Sequence, residues 1–148
     1  MKFSNFKDNK ESTGLLFWQT SMLWQRKIKQ ALQPYNLTHT QFVILCVIEE
    51  LCEQNVCVTQ KDISDFSMID TMTVSSTVRL LETKNLITRN TNVKDTRAKS
   101  IFNTEKGKNI LKLAIKEVEK IDLQFFFDED SQNILFHNYL SKLLNKNI

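Results

Sequence analysis

Two glycines and one proline in 148 residues constrain this chain more than any other feature. Tight turns draw on Gly, Pro, Asn and Asp, and a β-rich fold needs many of them. A chain this poor in breakers is free to build long helices instead, because Gly and Pro disfavour helix interiors most. Its length favours one domain. A chain of about 150 residues buries roughly 68–70% of its unfolded surface, enough for a core without staples. The three cysteines, Cys46, Cys52 and Cys57, are an odd number. With no recognisable signal peptide, this argues against a secreted disulfide scaffold. The longest apolar stretches, such as 42–48, are far too short to span a bilayer. The expectation is a soluble cytoplasmic protein with no membrane partner.

Helical periodicity marks residues 13–33, where Phe17, Trp24, Ile28 and Ala31 share a face that Leu15, Trp18 and Met22 widen. So broad a band predicts cover on more than one side. Pro34 ends the helix. Thr38 and Gln41 have capping-box spacing ahead of a second helix carrying Phe42, Leu45, Ile48 and Leu51 or Cys52. A small strand is expected at 56–58. Thr59 caps a third helix with Ile63 and Phe66 inward; Asp70 or Thr71 caps a fourth with Val74, Val78 and Leu81 on one face. The period then changes. Residues 86–89 and 100–102 read as strands joined by the polar run 90–98, a β-hairpin. Thr104 caps a long helix to about residue 126, in which Leu111, Ala114, Val118, Ile121 and Phe125 repeat as a heptad seam. Such a seam suits a partner helix, from a second subunit or from the same one. A last helix at about 131–145 carries Ile134, Leu135, Tyr139, Leu143 and Leu144.

This order of elements is mostly α with a small β-hairpin wing, a winged helix-turn-helix. A reading lobe at 38–104 lies between long helices at 13–33 and 105–147 that would dimerise. Charge agrees with that division. Residues 59–108 hold nine basic and six acidic side chains, while the remaining 98 are balanced at eleven of each, so the whole excess of +3 sits in one third of the chain. An excess this small also fits an ordinary solvated surface; its position fits a nucleic-acid footprint. In the fourth helix, an inward Val74, Val78 and Leu81 leave Met72, Ser75, Ser76, Arg79 and Thr83 outward. Short hydroxyl side chains let a helix approach base edges, and Arg is the commonest specific reader of guanine. The hairpin tip places Lys94, Arg97 and Lys99 around Asp95. An Arg there can enter a narrow minor groove, and Asp95 can aim the Arg97 guanidinium by hydrogen bonds.

The segments LTHTQFVIL (37–45), VTQKDIS (58–64), TVSSTVRLLETKNLITR (73–89) and DTRAKSIFNTEKG (95–107) resemble the MarR (multiple antibiotic resistance regulator) family. With the flanking helices the resemblance covers nearly the whole chain. It implies a homodimer that binds a near-palindromic operator, with Asp95 and Arg97 in the wing and 73–79 in the recognition helix. Leu81-Glu82, Leu86-Ile87, Thr104 and Gly107 also match family positions. The expected DNA-contacting set is Thr59, Gln60, Thr71, Thr73, Ser75, Ser76, Arg79, Arg89, Lys94, Asp95, Arg97 and Lys99. Three positions depart from the pattern. Asn85 stands for the usual glycine before the wing, a turn that asparagine tolerates. Ser76 stands for a common arginine, and Asn103 for the usual leucine.

Other chemistries find less support. There is no Gly-rich phosphate loop, and His39 and His137 read as surface residues rather than parts of a catalytic dyad. Cys52 and Cys57 with one histidine have no metal-ligand spacing. The expectation is therefore no enzyme activity, no cofactor and no metal. Two alternatives stay open: a thiol-based redox regulator, for which Cys57 is the most exposed candidate, and a winged-helix interaction module that binds no DNA. The resemblance also implies a small aromatic or apolar effector between the dimer helices and the reading head. Phe17, Trp18, Met22 and Trp24 could line that site, or serve as ordinary core and dimer packing.

Overall fold

The computed structural model describes residues 3–54, 57–91, 99–127 and 134–148. The Ser12 hydroxyl accepts the Leu15 N–H at 3.3 Å and so opens α1, Thr13–Leu32. Pro34 holds the chain in a short 3-10 turn, Gln33–Tyr35, which Asn36 closes with a left-handed backbone (φ 52°). Both halves of the expected capping box are formed. The Thr38 hydroxyl accepts the Gln41 N–H at 3.1 Å, and the Gln41 side-chain oxygen accepts the Thr38 N–H at 3.2 Å. α2 follows as His39–Gln54, then α3 (Gln60–Ser67), α4 (Thr71–Thr83), β1 (Ile87–Thr91), β2 (Lys99–Asn103), α5 (Glu105–Phe126) and α6 (Ile134–Asn147). β1 and β2 pair antiparallel, with Ile87 opposite Asn103 and Arg89 opposite Ile101. The architecture is the winged helix-turn-helix that the order of elements implied.

α2 is the centre of the molecule. It buries Gln41, Phe42, Ile44, Leu45, Val47, Ile48 and Leu51, because α1, α3, α4, α5 and β2 all pack around it. A helix packed on so many sides keeps few polar positions, and the exposed ones of α2, Glu50, Glu53 and Gln54, gather toward its end. α1 contributes Ile28 and Leu32 to this core, α3 Ile63, α4 Val74, Val78 and Leu81, the hairpin Leu86, Ile87 and Ile101, and α5 Leu111, Ala114 and Val118.

Gly107 fixes how α5 leaves the hairpin. A Cβ at 107 would lie 2.1 Å from the Leu86 carbonyl oxygen, and that oxygen accepts the Thr104 N–H at 3.0 Å. The Thr104 hydroxyl in turn donates to the Asn85 carbonyl at 2.7 Å and accepts the Gly107 N–H at 3.0 Å. Asn85 has the left-handed backbone expected of it (φ 59°).

Two details differ from what the sequence predicts, and a third is one that the sequence leaves open. Phe66 is exposed (53%) rather than inward. α3 is short and ends at Met68, whose left-handed backbone (φ 63°) turns the chain and brings Ile69 against the core. The Ser64 hydroxyl donates to the Ile69 carbonyl at 2.6 Å and holds that turn. In the expected strand at 56–58, residue 56 lies outside the described residues; Val58 is not in a strand and meets β2 through one backbone bond, Ile101 N–H to Val58 carbonyl at 2.8 Å. On the α5 seam, Leu111, Ala114 and Val118 are buried on α1, α2 and β2 of the same chain, while Ile121 and Phe125 are half-buried. Large side chains left open outside the reading lobe include Leu16, Phe17, Trp18 and Leu23 on α1, Leu113, Leu123 and Phe127 on and just after α5, and Ile134, Leu135, Tyr139 and Leu144 along α6.

Candidate nucleic-acid interface

The site is built on two capped helices. At the start of α3 the Thr59 hydroxyl accepts the Asp62 N–H (3.2 Å) and donates to the Asp62 carboxylate (2.7 Å), which also accepts the Thr59 N–H (2.8 Å). At the start of α4 the Asp70 carboxylate takes the Thr73 N–H at 2.9 Å and the Thr73 hydroxyl at 2.6 Å. These bonds, the hydroxyl's foremost, hold the Asp70 carboxyl below the usual carboxylate range. A carboxylate at this end also favours the helix through its dipole.

α4 buries Val74, Thr77, Val78 and Leu81. Its opposite side, Thr71, Met72, Ser75, Ser76 and Arg79, lines a shallow depression of about 330 Å³. The Ser76 hydroxyl donates back to the Thr73 carbonyl at 3.1 Å, so its oxygen faces outward as an acceptor. Arg79 is exposed and makes no salt bridge among the described residues. The structure thus gathers Thr71, Ser75, Ser76 and Arg79 on one outward face, as expected. Thr59, Gln60 and Thr73 stand beside it, partly buried, with the hydroxyls of Thr59 and Thr73 held by the caps.

The cations divide into two groups. Lys84 reaches back to the Asn36 carbonyl (2.6 Å) and the Gln41 side-chain oxygen (3.0 Å), and Lys108 pairs with Glu49 at 3.6 Å. Arg89, one of the residues expected at DNA, clasps Glu82, Nε to Oε2 at 2.5 Å and Nη2 to Oε1 at 3.2 Å. The bond lowers the Glu82 carboxyl and raises the Arg89 guanidinium. A two-bond arginine–carboxylate contact is directional, and this one ties β1 to α4. Among the described residues of 59–108, Lys61 pairs with Asp65 and Lys106 donates to the Lys84 carbonyl at 3.2 Å, both on the surface; the other exposed cations are Arg79 and Lys99. Lys94, Asp95 and Arg97, the wing-tip residues, lie outside the described residues.

The four residues named for an effector do not share one site. Met22 lines a cleft of about 530 Å³ together with Arg26, Lys29, Leu37 and His39. Phe17 and Trp18 (64%) are open to solvent. Trp24 is packed into the joint between α1 and α5: its Nε1–H donates to Asp122 at 2.7 Å, and its ring meets His39 edge-on at 5.1 Å and Phe126 at 5.9 Å. His39 is therefore not the free surface residue the sequence reading made it. Burial lowers its imidazole, and Asp122 opposes that shift. Among the thiols, burial pushes Cys46 up to about 11. Burial, then Glu49, raises Cys52, and Cys57 Sγ lies 2.9 Å from the Ser100 hydroxyl. A raised thiol is a poor nucleophile.

The description of the MarR family matches residues 37–99. The uncharacterized HTH-type transcriptional regulator YdcH of Bacillus subtilis (strain 168) is 41% identical over 123 residues, 83% of this chain and 84% of that one. This chain belongs to the MarR family. It is a helix-turn-helix transcriptional regulator, and the resemblance read from its segments is thereby established. Solved structures share its fold. Bordetella bronchiseptica BpsR, whose DNA binding is regulated by 6-hydroxynicotinic acid, has a TM-score of 0.83 at 19% identity, over 97% of this chain and 99% of that one. S. aureus MepR, solved in complex with DNA, has a TM-score of 0.78 at 26% identity, over 94% and 99%. In this MarR-family chain, no described helix is long and apolar enough to cross a membrane. The described residues gather no group of three potential metal ligands.

Proposed function

We propose that this MarR-family regulator is a repressor that binds a near-palindromic operator as a homodimer and releases it on binding a small effector. One observation carries the reading: the outward face of α4 presents hydroxyls and an arginine around a shallow depression, while every bulky apolar residue of that helix except Met72 and Leu80 is turned into the core. That is the surface a major groove accepts. MepR, whose structure was solved with DNA, supports the choice of partner. The uncovered apolar residues of α1 and α6 support a second copy as the other partner, since contiguous exposed apolar patches mark interaction surfaces. Lobe 38–104 would read DNA, and helices 13–33 and 105–147 would dimerise. The cleft beside Met22 supports an effector with an aromatic or apolar body and an acid group, for which Arg26 and Lys29 supply charge and Leu37 a wall.

Selection of bound sequences from a random duplex pool tests the reading. The expected product is an inverted repeat whose half-site centres lie one helical turn apart, about 34–36 Å. Enrichment of no motif, or of one without two-fold symmetry, contradicts it.

A further inference from the structure

Two large apolar side chains of α4 are exposed, Met72 and Leu80, and of these only Met72 lines the depression on the outward face. Met72 stands at i, with Ser75, Ser76 and Arg79 at i+3, i+4 and i+7, so all four share one side of the helix. That side is opposite the buried Val74, Thr77, Val78 and Leu81. Met72 is 82% exposed and, with Thr71, Ser75, Ser76 and Arg79, lines the depression on that face. A scattered surface methionine needs no explanation. This one occupies the first turn of the helix meant to enter the groove, where side chains reach base edges. The Asp70 carboxylate already holds the Thr73 N–H and hydroxyl, so neither of these is free for DNA.

We propose that Met72 determines specificity by packing against the C5-methyl group of a thymine in each operator half-site. Thymine is the one standard base that offers an apolar group in the major groove, and a flexible, polarizable thioether adapts to such a surface. The serine hydroxyls and Arg79 on the same stripe offer polar contacts to neighbouring bases, so the stripe reads both kinds of edge. The inference rests on the DNA-binding reading above.

The test replaces each thymine of the selected duplex by deoxyuridine, which removes only the methyl group. Wild-type protein is expected to lose about fourfold in affinity at one thymine per half-site, the worth of roughly one buried methylene, and about sixteenfold with both half-sites substituted. Met72→Ala is expected to bind the thymine and deoxyuridine duplexes equally, and Met72→Leu to keep the discrimination. Met72 is exposed, so both variants should melt like wild type. Wild type that is indifferent to every substitution overturns the proposal, as does a Met72→Ala protein that still loses fourfold. A wild-type chain that binds no duplex at all overturns the DNA-binding reading itself and takes this inference with it.

Discussion

Single residues set the joints of this molecule, and Gly107 sets the tightest. Its Cα faces the Leu86 carbonyl so closely that a Cβ would stand 2.1 Å away, against backbone that cannot rotate aside. Gly107→Ala should therefore destabilise the chain by about 1–3 kcal/mol, the ordinary range for overpacking, measured by urea unfolding. An unchanged midpoint would mean that α5 does not approach the hairpin this closely. His39 makes a second prediction. Burial against Trp24 lowers its imidazole below the ordinary value, and the nearby Asp122 opposes this without reversing it. A histidine depressed in the folded state is neutral there while the unfolded chain still takes up a proton. Stability is then fully present above the unfolded value, near 6.5, and is lost as pH falls through the folded one. The thermal midpoint should fall from pH 7.5 to 5.5 in wild type and fall less in His39→Gln. Equal slopes in the two proteins would remove the imidazole from the account.

At the scale of elements, much was legible because local chemistry and fold agree. The Thr38–Gln41 box, the Asp70 cap, the change of period after α4 and the left-handed Asn85 all stand where the sequence places them. The outward stripe of α4 was legible too, since Val74, Val78 and Leu81 fix its orientation by spacing alone. Pairings between elements were not legible. Arg89 counts as one more cation in the sequence, and only the hairpin register and the packing of β1 beside α4 bring it to Glu82. Met68 gave no warning of a left-handed backbone, because methionine is not a residue that favours it. The α5 seam has a dimer's spacing, yet the same spacing serves an intramolecular neighbour, and only the three-dimensional course of α1 and α2 decides between them.

At the scale of the whole molecule, that decision relocates the surface on which assembly should be tested. Val118 is 7% exposed within one chain, so a charge there would break the core instead of separating subunits. Trp18 and Leu135 (79%) are open in the single chain. If α1 and α6 form the dimer, Leu135→Lys combined with Trp18→Lys should give a folded monomer at micromolar concentration in sedimentation, with far-ultraviolet circular dichroism unchanged. A variant that remains a dimer would place the interface elsewhere. If the chain binds a two-fold operator as a dimer, as proposed, loss of the dimer should cost affinity without touching α4.

If the outward face of α4 reads operator bases, Arg79 is the side chain whose removal should show it. The measurement is a fluorescence-anisotropy titration of wild type and Arg79→Ala on the selected duplex and on single-base variants of it. If Arg79 reads a base, the substitution should cost about 1–3 kcal/mol per half-site and relax preference at one position of each half-site. A uniform loss across all sequences, with the salt dependence reduced by about 0.9 per half-site, would make Arg79 a phosphate contact only. Unchanged affinity and unchanged preference would contradict the claim that this face of α4 meets DNA.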